Sequence, residues 1–232
     1  MSVGSGKYQT KINSSILLLR KCNLFLKENR FPKAVLDIAS VAKYKNYHEI
    51  WRLLLEESVF RILLKDYSLF TFENHPKESK SNNLISMSYY ECPFKFVDIE
   101  SYIVGELGED YLGFKDEPSI IEEYKQSLYE SESIESPVTF RYDYAPMDYE
   151  SGRHPASHMH IGFNSQIRIG CERILNPVSF VAFVIRQQYP DIWKSVVLAS
   201  CISLCKSSIR DSIPVVLAKF KSASDSLEMY LS

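Results

Sequence analysis

Three of the five histidines lie within seven residues, at His154, His158 and His160. An imidazole gains or loses its proton near neutral pH and is also a common metal ligand. His158 and His160 are separated by one residue, which on a β-strand places both side chains on one face about 7 Å apart. We therefore expect this pair to act on one small group as acid, base or metal ligand.

One acidic residue, Asp143, precedes the histidines in a segment with strand-like alternation. A carboxylate can orient an imidazole or bind a metal directly. Asp143, His158 and His160 together provide a three-ligand set that leaves a coordination position open. A divalent metal is therefore one cofactor hypothesis, although a His-x-His pattern alone has low specificity.

Arginines flank the same region. Arg141 and Arg168 are candidate phosphate-binding residues, because a guanidinium donates paired hydrogen bonds to phosphate or carboxylate. Arg153 precedes His154 in the loop Gly152-Arg153-His154-Pro155, and this loop is predicted to close over the site. With His158, His160 and Asp143, we expect His154 to be catalytic and the three arginines to bind phosphate.

Three predicted strands must position these side chains: 137–145, 157–163 and 166–172. Side chains alternate between the two faces of a strand, so each strand has one apolar and one polar face. The shared polar face would carry Arg141, Asp143, His158, His160, Gln166 and Arg168. The polar rows coincide only if 163–165 form a three-residue turn, which pairs Gly162 with Gln166, His160 with Arg168 and His158 with Gly170.

The rest of the chain supplies helices and one further hairpin. Apolar spacing predicts helices at 13–28, 32–43, 46–64, 97–107 and 119–130, with a Ser119–Glu122 capping box on the last. It also predicts a hairpin of strands 67–73 and 83–91, a linker at 131–136, and helices after Asn176, after Pro190 and around 217–230.

These elements predict an α+β fold: an antiparallel sheet of about five strands with helices packed on one face. We expect a single domain over 1–232, with an N-terminal helical region over 1–64, a sheet-bearing core over 65–190 and C-terminal helices over 191–232. The chain is long enough to bury a substantial core.

Composition excludes several classes of protein. The apolar fraction of 45% and charged fraction of 24% are those of a globular domain, and eight glycines argue against a glycine-rich nucleotide-binding fold. A net charge of −2 does not indicate general nucleic-acid binding, although a local basic patch stays open. Five irregularly spaced cysteines predict reduced, mostly buried thiols, and no apolar run is long enough to span a bilayer. We therefore expect a cytoplasmic protein without a membrane partner.

The region also resembles a known family. The resemblance rests on Arg141-Tyr-Asp-Tyr144, His154-Pro-Ala-Ser-His-Met-His-Ile-Gly162, Arg168-Ile169, Leu175-Asn-Pro-Val-Ser-Phe180, Phe183 to Arg186 and Tyr189-Pro190. It is clearest over residues 137–190, and the family is an uncharacterised bacterial one catalogued as domain of unknown function 2290. The resemblance implies a bacterial cytosolic protein and carries no established activity. Families of this kind often belong to toxin or phage-defence systems, which is an association only.

Two hypotheses follow. The first is a small phosphodiester-cleaving enzyme, nuclease-like, acting on nucleic acid or a nucleotide phosphate. The second is a non-catalytic subunit or adaptor that docks a protein partner in a multiprotein complex. A solvated sheet face also carries charged residues for ordinary reasons, including cross-strand ion pairs, so the first hypothesis requires that the side chains converge.

Overall fold

The computed structural model describes residues 3–33, 45–75, 84–95, 97–196, 213–222 and 230–231. Its strands are β1 Phe25–Glu28, β2 Ile62–Leu64, β3 Leu69–His75, β4 Leu84–Tyr90, β5 Thr139–Tyr144, β6 Ser157–Ile161, β7 Ile169–Cys171 and β8 Tyr230–Leu231. The α-helices are α1 Val3–Lys21, α2 Tyr47–Glu56, α3 Ile99–Tyr102, α4 Pro118–Glu130, α5 Pro177–Gln188 and α6 Pro190–Val196. A π-helical turn covers Ile103–Leu107, and 3₁₀ turns cover Glu109–Phe114, Pro146–Asp148 and Ala218–Phe220.

The strands form one sheet in chain order from β1 to β8. Strands β1 to β7 pair antiparallel with their neighbours, and β8 pairs parallel with β7. The predicted α+β class and antiparallel sheet are confirmed, with eight strands among the described residues instead of about five. Short links join β2 to β3, β3 to β4, β5 to β6 and β6 to β7, and each returns the chain beside the strand it has just left. Longer segments precede β2, β5 and β8.

One face of the sheet, here called the dry face, packs on α1 and α5. Its side chains belong to one buried cluster that includes Phe70, Met87, Tyr142 and Met159 from the strands. Cross-strand partners such as Met87, Tyr142 and Met159 lie in register, so they share this face. The helices contribute Ile12, Ile16, Leu19, Phe180, Val181, Val184 and Ile185.

The opposite face, here called the polar face, is apolar only at one end. There Leu63, Leu69 and Tyr90 belong to a second buried cluster with Trp51 and Leu54 of α2 and with Tyr124 and Leu128 of α4. Helices therefore cover areas of both faces, and the expectation of helices on one face alone was wrong. The reason is the apolar row of Leu63, Leu69 and Tyr90, whose side chains require a cover against water that the polar rows beside it do not.

Two predicted N-terminal helices end earlier than expected, and the first also begins ten residues earlier, at Val3 instead of residue 13. Helix α1 ends at Lys21, Asn23 adopts a left-handed conformation with φ 55°, and β1 follows where the helix 13–28 was expected to continue. Helix α2 ends at Glu56, Ser58 turns the chain with φ 54°, and β2 follows inside the predicted helix 46–64. Strands β1 and β2 pair with each other, so a tertiary contact overrides the helical spacing of their apolar residues.

Further elements differ in detail. Strand β3 starts at Leu69 instead of 67, because Tyr67 adopts φ 62° in the preceding turn. The hairpin of β3 and β4 is confirmed. Helix α4 starts at Pro118 and its N-cap Glu117 makes no side-chain capping bond, so the predicted Ser119–Glu122 capping box was wrong. Proline fixes φ for the first turn and moves the start one residue earlier.

Around the linker and the C-terminus the outcome is mixed. The amide of Lys95 donates to the carbonyl of Glu132 at 2.7 Å, so the predicted linker 131–136 is hydrogen-bonded to another segment of the protein. The helix after Asn176 is confirmed, with an Asn176–Ser179 capping box. Residues 230–231 are a strand instead of the end of a C-terminal helix. The predicted helix 32–43 and most of the helix after Pro190 lie outside the described residues.

Three cysteines, Cys22, Cys92 and Cys171, are buried and not joined in disulfides. Burial raises the pKa of the Cys92 and Cys171 thiols to about 12, which keeps them protonated and inert. Cys201 and Cys205 lie outside the described residues. Within the stretches of chain that the structure describes, no helix combines the length and the apolar character needed to cross a bilayer.

Candidate functional site

Two adjacent rows on the polar face carry the predicted site. The first row is Thr71, Ser88, Arg141 and His160, and the second is Glu73, Ser86, Asp143, His158 and Gly170. Members of a row lie directly opposite one another on neighbouring strands, so their side chains meet above the sheet. The two rows lie beside the end of the apolar cluster that α2 and α4 cover.

Asp143 is the centre of the site. The Ser86 hydroxyl donates to Asp143 Oδ1 at 2.7 Å, and Arg141 Nε donates to Asp143 Oδ2 at 2.8 Å. A carboxylate accepts about four hydrogen bonds, so these two donors leave acceptor positions unused. The Asp143 side chain is 18% exposed, and one of its oxygens is held by Ser86 of the neighbouring strand and the other by Arg141 of its own strand.

Backbone carbonyls fix the tautomers of both histidines. His158 Nδ1 lies 2.7 Å from the Pro155 carbonyl oxygen, and His160 Nδ1 lies 3.2 Å from the Ser165 carbonyl oxygen. A carbonyl oxygen only accepts, so each Nδ1 carries the hydrogen. In the neutral imidazoles, Nε2 is then an unprotonated acceptor, which is the form that binds a metal.

The two Nε2 atoms converge on the aspartate. His158 Nε2 lies 3.9 Å and His160 Nε2 lies 3.6 Å from Asp143 Oδ2, and the three ligand atoms lie within 4.8 Å of one another. Three acceptors that face each other repel unless a cation lies among them. A tetrahedral zinc ion holds its ligand atoms about 3.3 Å apart, so small side-chain rotations would close the cluster on such an ion.

Burial holds both imidazoles in the neutral state. His158 is 2% and His160 is 4% exposed. Burial lowers the pKa of His158, and the attraction of Asp143 only partly offsets this effect. Burial and the positive charge of Arg141 lower the pKa of His160 to about 4. Both side chains therefore stay in the ligand form at neutral pH.

His154 lies at the outer side of this cluster. Its ring centroid is 4.8 Å from that of His158, in an edge-to-face arrangement. The His154 Nδ1 atom is buried, and no hydrogen-bond partner lies near it among the described residues. The predicted loop therefore does bring His154 to the site, next to His158 and outside the set of three converging atoms.

The three predicted arginines have different positions. Arg141 is at the site, half-exposed and bonded to Asp143. Arg153 pairs with Glu150 at 3.1 Å and its side chain is 79% exposed, so the structure does not bring it to the cluster. Arg168 is exposed, but its positive charge contributes to the lowered pKa of His158.

The predicted register of β6 and β7 is confirmed at His158 and Gly170, while the predicted turn was too short. The ladder ends where Met159 pairs with Ile169, so the pair of His160 with Arg168 does not form and residues 162–168 are loop. Gly162 with φ 92° and Asn164 with φ 55° turn the chain away from the strand. This path brings the Ser165 carbonyl to the His160 ring.

Sequence reasoning missed two residues of the site, Ser86 and Glu73. Ser86 binds Asp143, and Glu73 lies two strands away in the same row. Burial and the negative charge of Asp143 raise the pKa of Glu73. The polar–apolar alternation of strand 83–91 contained the signal for Ser86, but only the pairing of β4 with β5 connects that strand to Asp143.

Comparison with known families gives one match. The family described as "Uncharacterized conserved protein (DUF2290)" matches residues 25–225, which is most of the chain. The chain belongs to this family, as the motifs around Asp143 and His158 predicted. Neither the curated proteins nor the solved structures contain a match to the chain.

Proposed function

We propose that the protein is a divalent-metal-dependent phosphodiesterase, nuclease-like in its chemistry, whose site is the cluster of Asp143, His158 and His160. One observation carries the proposal. Two buried imidazoles with fixed tautomers direct unprotonated Nε2 atoms toward one carboxylate oxygen, 3.9 and 3.6 Å away. A structural ion pair would place an N–H between histidine and aspartate, and here the hydrogens are on the other nitrogens.

The donor set indicates the class of metal. Two imidazole nitrogens and one carboxylate oxygen suit Zn²⁺, Mn²⁺, Fe²⁺, Co²⁺ or Ni²⁺, whereas Mg²⁺ and Ca²⁺ prefer ligands that are all oxygen. Hydrogen bonds from each Nδ1 to a carbonyl are the outer contacts that orient histidine ligands in metal sites. Ser86 has the same effect on Asp143, because it holds the second carboxylate oxygen at 2.7 Å.

Such a metal ion, when bound, supplies an activated water and polarises a phosphoryl oxygen. The chain's own residues do the rest. Arg141 binds Asp143 through Nε, which leaves its two terminal nitrogens to bind a substrate phosphate. Arg168 adds a second positive charge on the exposed side. His154, whose buried Nδ1 has no hydrogen-bond partner among the described residues, is the candidate to move a proton to or from the reacting group.

The substrate class follows from these charges. Two arginines beside a candidate metal site suit a phosphodiester, and the overall charge of −2 favours local phosphate recognition over broad adhesion to nucleic acid. We propose a nucleic acid or a nucleotide as the substrate. A role in toxin or phage-defence systems stays a prediction from the family resemblance.

The test measures metal binding and hydrolysis together. The full-length protein is stripped with a chelator, reloaded separately with Zn²⁺ and Mn²⁺, and assayed with bis(4-nitrophenyl) phosphate and with single-stranded oligonucleotides. We expect one bound metal ion per chain by mass spectrometry and hydrolysis that a chelator abolishes. His158→Ala and His160→Ala should each lose the metal and at least about a hundredfold in rate, since each removes a ligand.

His75→Ala provides a matched control. His75 also lies on the polar face, but its side chain is 60% exposed and it is not among the converging atoms. This variant should keep the metal and most of the rate. Metal binding and hydrolysis that survive in both His158→Ala and His160→Ala would contradict the proposal.

One observation favours the second hypothesis, a non-catalytic subunit or adaptor. Four large apolar side chains between residues 97 and 114 are exposed: Val97, Val104, Tyr111 and Phe114. Exposed apolar groups in one segment are typical of a docking surface. If Tyr111→Ser with Phe114→Ser releases a co-purifying protein while the stripped and reloaded chain shows no hydrolysis, the adaptor hypothesis replaces the enzymatic one.

A further inference from the structure

Residues 97–117, here called the acidic lobe, expose apolar side chains next to carboxylates. The exposed apolar side chains are Val97, Val104, Tyr111 and Phe114, which are between 43% and 55% exposed. The ring centroids of Tyr111 and Phe114 lie 6.3 Å apart, so the two rings form one aromatic patch. Seven acidic residues of the lobe are exposed as well: Asp98, Glu100, Glu106, Glu109, Asp110, Asp116 and Glu117. Exposed aromatic groups beside charged ones are typical of a protein-binding surface.

The negative charge of the acidic lobe is largely unbalanced within the chain. Lys115 is its one basic residue, and the Lys115 ammonium donates to Glu100 Oε1 at 2.6 Å. The other six carboxylates form no ion pair with any described residue. Like charges on one surface repel each other, and a cationic partner relieves this repulsion. The lobe therefore suits a partner that is basic and also has apolar groups of its own.

A surface of that kind lies on the same chain. Residues 17–33, here called the basic edge, comprise the end of α1, strand β1 and the residues that follow it. Five basic residues of this segment are exposed: Arg20, Lys21, Lys27, Arg30 and Lys33. Leu17, Leu26 and Phe31 are exposed too, and Phe31 is 90% exposed. Glu28 is the one acidic residue, so the basic edge combines a net charge of +4 with apolar groups.

The two surfaces do not neutralise each other within one chain. Among the described residues, no ion pair joins the basic edge to the acidic lobe, and Arg20, Lys21 and Lys27 take part in no ion pair. Strand β1 is the first strand in the order of the sheet, so the basic edge lies at one margin of the sheet. Both surfaces are therefore left to bind another molecule.

We propose that the acidic lobe of one copy of this protein binds the basic edge of a second copy. The net charges of the two segments are −6 and +4, so lobe and edge attract each other, whereas two lobes or two edges repel. Phe31 is an apolar anchor for the aromatic patch of Tyr111 and Phe114, and the contact removes all three rings from water. Because the two surfaces differ, the copies associate head to tail or as a twofold dimer in which the contact forms twice.

The first experiment is sedimentation equilibrium on the full-length protein over a wide range of concentrations. We expect a mass above that of one chain, which rises with protein concentration. An increase in salt from about 0.05 M to about 0.5 M should weaken the association at least about tenfold, because salt screens exposed charges. Phe31→Ser leaves the charge unchanged and should also weaken the association at least about tenfold, because it removes the apolar anchor.

Charge reversal tests the pairing of the two surfaces. The edge variant carries Arg20→Glu, Lys21→Glu and Lys27→Glu, which change the net charge of the basic edge from +4 to −2. The lobe variant carries Glu106→Lys, Glu109→Lys, Asp110→Lys and Asp116→Lys, which change the net charge of the acidic lobe from −6 to +2. Each variant alone should be monomeric, because its lobe and its edge then have the same sign. An equal mixture of the two variants should associate, and the chain that carries all seven substitutions should self-associate again.

A matched control reverses carboxylates elsewhere. Asp148 and Asp191 are exposed and lie outside both surfaces, so Asp148→Lys with Asp191→Lys should leave the association unchanged. Circular dichroism checks that each variant is folded, and Phe31→Ser with the salt series still tests the contact if a charge-reversal variant does not fold.

A wild-type chain that stays monomeric at low salt would overturn the proposal, as would an association that both charge-reversal variants retain. A monomeric wild-type chain whose lobe instead binds a basic amphipathic peptide would also overturn it and would assign the lobe to a different protein, as the adaptor hypothesis requires. None of these measurements depends on hydrolysis at the histidine cluster.

Discussion

Both faces of the central strands bury side chains, but the buried groups on the two faces have opposite chemistry. On the dry face, Tyr142 and Met159 are fully buried beneath α1 and α5. On the polar face, His158 and His160 are only 2% and 4% exposed, yet they lie beyond the apolar cluster that α2 and α4 cover. The dry face buries groups that prefer to leave water, which stabilises the fold. The polar face buries groups that prefer water, and their burial does not stabilise the fold.

This difference separates stability from function. Buried polar groups that lack full partners lower stability, and they persist mainly where they serve a site. We therefore expect changes on the dry face to affect the free energy of unfolding, and changes on the polar face to affect metal binding and activity. Four experiments test this comparison.

The largest effect should come from Phe180→Ala on the dry face. Phe180 of α5 is fully buried, and its ring centroid lies 6.1 Å from that of Phe70. Removing the ring should lower the free energy of unfolding by about 3–5 kcal/mol, because it leaves a cavity as well as losing apolar contact. Urea denaturation measures the change. Metal content per folded chain should not change, and a loss of metal at full stability would contradict the separation.

Acid should destabilise the protein through the polar face. An unfolded histidine titrates near 6.5, whereas burial and Arg141 lower the pKa of His160 to about 4 in the folded protein. Between these values the unfolded chain binds a proton that the folded chain does not, so stability falls as the pH drops from about 6.5 to about 4. The loss is on the order of 3 kcal/mol at the acid end.

Urea denaturation of metal-free protein at pH 7, 5.5 and 4.5 measures this loss. His160→Gln carries no titrating group at that position and should show a smaller slope than the wild-type protein. The comparison between the wild-type protein and His160→Gln removes the contribution of the other titrating groups, which both proteins share. Identical slopes in both chains would mean that His160 is not held neutral by its surroundings.

A smaller effect should follow Tyr142→Phe, which changes a hydroxyl on the dry face. The Leu175 amide donates to the Tyr142 oxygen at 2.9 Å, and the Tyr142 and Ser157 hydroxyls lie 2.8 Å apart. Without the hydroxyl, the Leu175 N–H loses its acceptor, and we expect the free energy of unfolding to fall by about 2 kcal/mol. Thermal and urea denaturation measure it. An unchanged stability would indicate that water replaces the hydroxyl.

The smallest effect should come from Arg153→Gln. Arg153 was predicted to bind phosphate, but its side chain is 79% exposed and pairs with Glu150. An exposed ion pair contributes less than about 1 kcal/mol, so stability should hardly change. The rate of phosphodiester hydrolysis should also stay within about twofold of wild type, in contrast to Arg141→Gln. A large loss of rate in Arg153→Gln would place Arg153 in the site after all.

Much of the site could be predicted because strand alternation is a local property. The spacing of Arg141 and Asp143, and of His158 and His160, assigns each pair to one face of its strand without knowledge of the rest of the chain. The structure places all four on the polar face, with His158 opposite Asp143 and His160 opposite Arg141. The helix after Asn176 was also predictable, because its capping residue and Pro177 act within one turn.

Other features depended on distant contacts. Strands β1 and β2 have four and three residues, and nothing in their spacing distinguishes them from the ends of helices. The bond from Ser86 to Asp143 joins residues 57 positions apart, and only the pairing of β4 with β5 brings them together. The position of Arg168 also depended on the fold. The predicted register of β6 with β7 was right, but the chain turns with positive φ at Gly162 and Asn164, and the pairing ends at Ile169 before it reaches Arg168.

The sequence by itself therefore determined which side chains share a face and which residue types meet, because these follow from the two-residue period of a strand. Only the tertiary structure decided that the atoms which converge there, two histidine Nε2 atoms and one Asp143 oxygen, are all hydrogen-bond acceptors. The carbonyls of Pro155 and Ser165 take the hydrogens of both Nδ1 atoms, which leaves two Nε2 lone pairs directed at Asp143. Loop paths and cross-strand partners set those contacts, and a local pattern of residue types does not encode them.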